Sequence, residues 1–211
     1  MIFTPTKLAG VFVVALEKIE DERGCFARTW CTDAFARQGL DSRLTQCNLS
    51  FSRVRGTIRG LHYQAAPHEE AKLVRVTRGA VYDVAVDLRL NSPTFGKWSA
   101  TELTADNRLA LFVPAGCAHG LQTLADDTEV FYQMSTPYVA GTARGIRWDD
   151  ATLSIDWPLP TASLSLRDCE LPTLAQFISA INSVGPRYDG RHSHANPPHP
   201  LGLAPARERA I

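Results

Sequence analysis

Short runs rich in β-branched, aromatic and aliphatic residues follow one another from Lys72 to Met134: Lys72 to Val76, Ala80 to Leu88, Trp98 to Leu103, Leu109 to Val113, Leu121 to Leu124 and Glu129 to Met134. An earlier run, Val11 to Leu16, opens the series. Between them stand Thr77-Arg78-Gly79, Asn91-Ser92-Pro93, Ala105-Asp106-Asn107 and Pro114-Ala115-Gly116. Such sequences reverse a chain, because Gly reaches positive φ, Pro fixes φ, and Asn and Asp bond their own backbone. Many short strands with few helices predict a mainly β fold, an antiparallel sandwich or barrel and most economically a jelly roll. Within Ala80 to Leu88, alternation puts Tyr82, Val84, Val86 and Leu88 on one face and Asp83, Ala85 and Asp87 on the other, the pattern of a half-buried strand. Two helices are expected. One is Thr32 to Gln38, capped by Thr32 or Asp33 and stopped by Gly39; the other is Leu171 to Val184, begun near Pro172 and ended by Gly185-Pro186.

At 211 residues and 45% hydrophobic composition the chain suits one domain with a sizeable core. That domain is expected over residues 1–184. Residues 185–211 are dense in Pro, Gly, His and Arg without apolar periodicity, and are expected to form a disordered tail. Its His192, His194 and His199 have no scaffold to fix metal geometry. The formal net charge is zero, so an anionic ligand must meet a local cluster of bases, and no nucleic-acid or membrane partner is expected. The N-terminus lacks a basic region followed by an apolar run, and no stretch is long enough to cross a bilayer, which predicts a soluble, cytoplasmic protein. Five scattered cysteines, Cys25, Cys31, Cys47, Cys117 and Cys169, with no CxxC pair, predict free thiols rather than a disulfide framework or structural zinc.

Two histidines stand out. His62 lies in Arg59-Gly60-Leu61-His62-Tyr63-Gln64, just before a strand pattern, and His119 closes Pro114-Ala115-Gly116-Cys117-Ala118-His119, a loop between two strands. A PxGxxH loop resembles the second motif of the cupin superfamily of small jelly-roll barrels. Metal cupins supply a His-x-His in their first motif, and here Gln64 stands where the second imidazole would be, so a metal-free barrel is the preferred reading. A metal site using His62, His68 and His119 is the alternative. His119 is equally readable as a hydrogen-bonded rim residue. Alternation separates Arg75 from Lys72; an inward Lys is costly unless it meets an anion or developing negative charge, while the plain alternative is that Lys72 points to solvent.

A longer set of segments resembles the dTDP-4-dehydrorhamnose 3,5-epimerase family. They are Asp21-Glu22-Arg23-Gly24, Gln46-Cys47-Asn48, Arg59 to Gln64, Ala71 to Arg75, Asp83 to Arg89, Ser92 to Gly96, Val113 to Gly116, His119-Gly120, Tyr132, Gly145 to Asp150, Ile155 to Pro158 and Ser165 to Asp168, in order and with similar spacing over about residues 1 to 176. The resemblance implies a cofactor-free, metal-independent jelly-roll epimerase, usually a homodimer, acting on a nucleotide-diphosphate-linked 4-keto-6-deoxyhexose. It implies His62 as base, Asp168 as its partner, Lys72 as stabiliser of an enolate oxygen and Tyr132 as the acid on the opposite ring face. It also implies substrate binding by Arg23, Phe26, Gln46, Asn48, Arg59, His119, Tyr138 and Arg167, with guanidinium groups suited to phosphate and rings suited to the base.

The chain departs from the family pattern in three places. Cys47 replaces an Asp common in the family, Arg28 a Glu, and Thr142-Ala143-Arg144 a stretch that commonly carries a Glu before the Gly. These changes predict an altered nucleotide pocket and an untouched acid–base set. Inversion of C3, of C5 or of both is open at this level, as is the identity of the nucleotide.

Overall fold

The protein is described from a computed structural model, over residues 1–183. The tail expected at 185–211 lies outside the described residues, its three histidines included. Thirteen strands and three helices run in the order β1 (Ile2–Pro5), β2 (Phe12–Ala15), β3 (Lys18–Asp21), β4 (Gly24–Ala27), α1 (Thr32–Arg37), β5 (Gln46–Ser52), β6 (Ile58–Gln64), β7 (Lys72–Arg78), β8 (Ala80–Asp87), β9 (Trp98–Thr104), β10 (Ala110–Val113), β11 (Cys117–Thr123), β12 (Thr128–Met134), β13 (Ala143–Gly145), α2 (Leu166–Cys169) and α3 (Leu174–Ser183). The strands form a six-stranded sheet, β1-β2-β10-β7-β12-β5, a five-stranded sheet, β13-β6-β11-β8-β9, and the separate β3-β4 hairpin. All strand pairings are antiparallel. The mainly β jelly-roll expectation therefore holds.

The two large sheets pack over a core to which the first contributes Val74, Val76, Leu111, Val113 and Val130 and the second Val81, Ala85, Leu103, Cys117 and Leu121. Leu8 and Val11 join the same core. The outer side of the five-stranded sheet, including Leu61, Val84, Val86 and Ala118, is covered by Ile146, Leu153, Leu174, Phe177 and Ile178. On the outer side of the six-stranded sheet, Val14, Leu73, Ala110 and Phe112 pack under Phe35, Trp30 and Leu40.

This covering corrects the reading of β8. Its second face was expected to meet water, yet Asp83 and Asp87 are fully buried. Segments after β13 close the outer face, so the Asp83-Ala85-Asp87 row is left facing the inter-sheet space. Other boundaries also move. Helix α1 has Cys31 as its N-cap with no side-chain cap bond, in place of Thr32 or Asp33, and it ends at Arg37 before Gly39, whose φ is +70°. Helix α3 starts at Leu174, where Thr173 and Gln176 exchange capping bonds, rather than at Leu171. Strands β1, β3, β4, β5, β6 and β13 were not anticipated, and His62 and His119 lie within strands β6 and β11, not before or between strands. No described helix is long and apolar enough to cross a membrane.

Asp87 ties the end of β8 to the turn that follows. It accepts hydrogen bonds from the Arg89 guanidinium at 2.8 Å, from Thr94 Oγ1 at 2.6 Å and from Ser92 Oγ, while Arg89 also reaches the carbonyl of Ala9. Burial alone would raise its pKa; the bonds from Arg89, Ser92 and Thr94 outweigh burial and lower it to about 2. Because the folded-state value lies below the unfolded one, this carboxylate stabilises the fold above about pH 4, and the contribution disappears as pH falls toward about 2. We expect Asp87→Asn to cost about 2 kcal/mol at neutral pH. In urea denaturation the gap between variant and wild type should close as pH falls from about 4 to about 2.

Candidate active site

Where the apolar core between the sheets ends, the inward rows change character. On β7 and β12 the residues that share the inward row with Val74, Val76 and Val130 are Lys72, Tyr132 and Met134. On β5 they are Gln46, Asn48 and Ser50, and on the facing sheet Arg59, His62 and His119. These residues line an open cavity of about 710 Å³, a size suited to a small organic ligand.

His62 and His119 are cross-strand neighbours on β6 and β11. Two glycines bring those strands together. A Cβ on Gly60, where φ is +118°, would lie 2.6 Å from Gly120 Cα, and one on Gly120 would lie 2.8 Å from the Arg59 carbonyl. His62 Nε2 sits 2.6 Å from Asp168 Oδ1, and Asp168 is buried while the His62 ring opens into the cavity. Asp168 is brought there by α2, whose N-cap Ser165 hydroxyl accepts the Asp168 N–H at 3.1 Å. Burial pushes the Asp168 carboxyl upward, but the His62 hydrogen bond and charge, with help from the Gly60 N–H and Ser165, hold it below its ordinary value. A carboxylate here accepts the Nε2 proton, which leaves the Nδ1 lone pair as the basic position of the neutral ring.

Lys72 also points inward. It is 8% exposed, with Nζ 2.9 Å from Glu70 Oε1 and 3.2 Å from the His62 carbonyl oxygen. Arg75, on the other face of β7, donates instead to the Thr29 carbonyl. Tyr132 stands on the same sheet as Lys72, opposite Val74, and so on the wall facing His62. Burial raises the Tyr132 hydroxyl pKa, the Glu70 charge adds to the rise and Arg59 opposes it, so the phenol keeps its proton at neutral pH. His119 Nε2 is 2.8 Å from Asp83 Oδ1; Asp83 Oδ2 is the one buried side-chain polar atom without a partner among the described residues.

At the cavity mouth the Arg59 guanidinium donates to Ser52 Oγ and the Phe51 carbonyl. Gln46 bridges Asn48 and the Tyr138 backbone, leaving the half-exposed Tyr138 ring beside the opening with Arg167. Ten of the twelve residues singled out from the sequence thus line one cavity. The two that do not are Arg23 and Phe26. Both lie on the exposed β3-β4 hairpin, where Arg23 pairs with Asp21 and Phe26 is 71% exposed, so within one chain they do not join the site. His68 also lies outside the cavity lining, and no three His, Cys, Asp or Glu side chains among the described residues are grouped to hold a metal ion. Of the departures from the family pattern, only Ala143 reaches the cavity. Cys47 is exposed between the inward-facing Gln46 and Asn48, Arg28 is exposed beside Cys31, and Arg144 donates to the Gly141 and Ala143 carbonyls.

Sequence reasoning missed Glu70, Gln64, Tyr63 and Asp83. Glu70 had a signal: it is two residues from Lys72, and in an extended chain residues i and i+2 share a face. Asp83 had one too, in its alternation with Asp87.

The family model for dTDP-4-dehydrorhamnose 3,5-epimerase matches residues 5–176. A relative from Sinorhizobium fredii named dTDP-4-dehydrorhamnose 3,5-epimerase is 43% identical over 185 residues, covering 84% of this chain and 95% of its own. One from Streptomyces niveus named dTDP-4-dehydrorhamnose 3-epimerase is 40% identical over 177 residues, covering 83% and 85%. The solved structure of the Bacillus anthracis dTDP-4-dehydrorhamnose 3,5-epimerase with TDP and PPi bound superposes with a TM-score of 0.79 at 39% identity, covering 82% of this chain and 99% of that one.

The His62 geometry makes a spectroscopic prediction. In ¹⁵N NMR of the neutral imidazole, Nε2 should carry the proton and Nδ1 the lone pair. Asp168→Ala should shift both resonances toward a tautomer mixture, whereas unchanged resonances would show that the Asp168 contact does not set the tautomer.

Proposed function

The chain belongs to the dTDP-4-dehydrorhamnose 3,5-epimerase family, and we propose that it inverts C3, C5 or both of a dTDP-linked 4-keto-6-deoxyhexose by proton transfer between its two facing sheets. The C4 ketone acidifies the neighbouring C–H bonds. His62 Nδ1 takes the proton from one face of the ring, and the C–H electron pair moves into an enolate whose charge rests on the C4 oxygen. Asp168 holds the ring orientation and stabilises the imidazolium that forms. Lys72, with one ammonium N–H free of protein partners among the described residues, meets the enolate oxygen. Tyr132 delivers its phenolic proton to the same carbon from the opposite face, and proton exchange with solvent then resets the pair.

One observation carries this reading: the base with its buried carboxylate and the protonated phenol sit on opposing walls of one cavity. Return of the proton from the same face would restore the starting centre; delivery across the cavity inverts it. Arg59 and Arg167 at the mouth suit the diphosphate, Tyr138 suits stacking on the base, and Gln46, Asn48 and His119 offer polar contacts along the cavity.

Incubation of dTDP-4-keto-6-deoxyglucose in deuterium oxide should place deuterium at the inverted centres, read by NMR. Label at C3 alone would assign a single-centre enzyme and label at both C3 and C5 a double one. His62→Ala should lower exchange by about 10³-fold or more in a folded protein. Tyr132→Phe should permit exchange while suppressing inversion. Exchange at the wild-type rate in the His62 variant would overturn the assignment.

The same reading includes a homodimer. Ile19 and Phe26 on the hairpin are 71% exposed, and Leu49 and Phe51 are exposed on β5, an edge strand of the six-stranded sheet. Exposed apolar side chains on a hairpin and an unpaired edge are features that a second copy can cover. In that dimer Arg23 and Phe26 serve the partner's cavity, which reconciles their expected role with their distance from their own. Sedimentation equilibrium should give a dimer. Mixing inactive His62→Ala with Arg23→Ala chains should restore activity to about a quarter of wild type at limiting substrate, since half of randomly paired dimers carry one intact site. Wild-type activity of Arg23→Ala chains on their own would place that residue outside the site.

A further inference from the structure

Among the charged groups facing the cavity, Glu70 has no role in the reaction described above. It is 5% exposed, and both carboxylate oxygens are engaged: Oε1 lies 2.9 Å from Lys72 Nζ, and Oε2 accepts the backbone N–H of Gln64 at 3.0 Å. Gln64 is itself fixed, donating to the carbonyls of His68 and Pro137 and accepting from the Val139 N–H. The carboxylate is therefore clamped to β6 at one end and to the Lys72 ammonium at the other. A neutral amide would satisfy the Gln64 N–H equally well. What a carboxylate adds is charge, at the desolvation cost that a nearly buried anion carries.

That charge bears on two groups. The Lys72 ammonium has three N–H donors; Glu70 and the His62 carbonyl occupy two and so orient the third. Tyr132 follows diagonally across the β7-β12 ladder, with Met134 opposite Lys72 and Tyr132 opposite Val74.

We propose that Glu70 is a positioning residue of the epimerase site, whose carboxylate, together with the His62 carbonyl, aims the Lys72 ammonium at the enolate oxygen. The proposal rests on the role given above to Lys72. The Glu70 charge also bears on the Tyr132 hydroxyl, which burial first and that charge second hold above the usual range. The other titratable groups around this space are His62 with Asp168, His119 with Asp83, and Arg59 and Arg167 at the mouth. The Tyr63 and Tyr138 hydroxyls also border it. Replacing Glu70 by Gln leaves all of them in place.

The test is the pH dependence of deuterium exchange into dTDP-4-keto-6-deoxyglucose for full-length wild type and Glu70→Gln, with folding checked by circular dichroism. In the variant kcat near neutrality should fall about tenfold, KM should stay within about twofold, and the alkaline limb of kcat should move to lower pH. A kcat equal to that of wild type overturns the proposal, as does a loss that falls on KM while kcat is kept. Should the Gln variant not fold, Glu70→Asp decides. It keeps the charge but shortens the reach to Lys72, so a lowered kcat supports the proposal and a wild-type kcat overturns it. Absence of exchange in the wild type would instead remove the underlying epimerase reading, and this proposal with it.

Discussion

Three bases project into the space between the sheets, and each is held by a carboxylate that has almost no contact with water. His62 lies 2.6 Å from Asp168, Lys72 2.9 Å from Glu70 and His119 2.8 Å from Asp83, and the three carboxylate side chains are 5%, 3% and 0% exposed. An ion removed from water loses several kcal/mol of hydration, and a buried pair stripped of one partner destabilises the fold by about 3–5 kcal/mol. The pairs therefore cannot be assembled independently of the fold. Asp168 comes from α2, more than a hundred residues after His62; Asp83 comes from β8, inside the sheet; Glu70 comes from the segment leading into β7. Glu70 and Asp168 border the cavity together with the bases they hold, while Asp83 lies outside its lining behind His119.

This arrangement depends on covering both sheets from outside. If the outer face of the five-stranded sheet were wet, Asp83 and Asp87 would have no reason to face inward, and β8 would read as an ordinary half-buried strand. Leu153, Ile146, Leu174 and Phe177 supply the cover, and the same stretch of chain carries Ser165 and Asp168 to the cavity. The segment that closes the core thus also completes the base. Burial of the outer face and orientation of His62 are coupled, because both depend on how the chain after β13 docks.

Legibility in the sequence followed periodicity. Strands β7 to β10 and β12 announce themselves because apolar and β-branched residues dominate them, and the separation of Lys72 from Arg75 follows from alternation alone. Strands β5 and β6 escape the same test. Their inward residues, Gln46, Asn48 and Ser50 in one and Arg59 and His62 in the other, are polar because they line the cavity, and Gly60 breaks the run where β6 and β11 touch. The strand around His119 was hidden similarly, because its Ala118 and Gly120 look like turn residues until Gly120 is seen against the Arg59 carbonyl. The site is the region where local pattern fails, since its residues line the cavity and not the core. The family resemblance reached those positions because it compares identities, not periodicity. It could not say that Arg23 and Phe26 would fall on a hairpin outside their own cavity, which is a matter of tertiary placement.

Placement also revises what the unusual residues mean. Counted as a list, Cys47, Arg28, Ala143 and Arg144 suggest a pocket that has lost acid and gained base. In the fold the alternation of β5 turns Cys47 outward, Arg28 and Arg144 bond to nearby sulfur and carbonyl groups outside the cavity, and only Ala143 borders it. Within the chain the change at the cavity is thus the absence of one side chain near Tyr63 and Gln64, its neighbours across β6 and β13. Arg28 lies just beyond the β3-β4 hairpin, whose neighbours Arg23 and Phe26 are proposed to act in the partner's cavity. The net charge of zero then describes the chain and not its surface around the cavity: the carboxylates there are buried and paired with bases, while the Arg59 and Arg167 guanidinium groups are exposed.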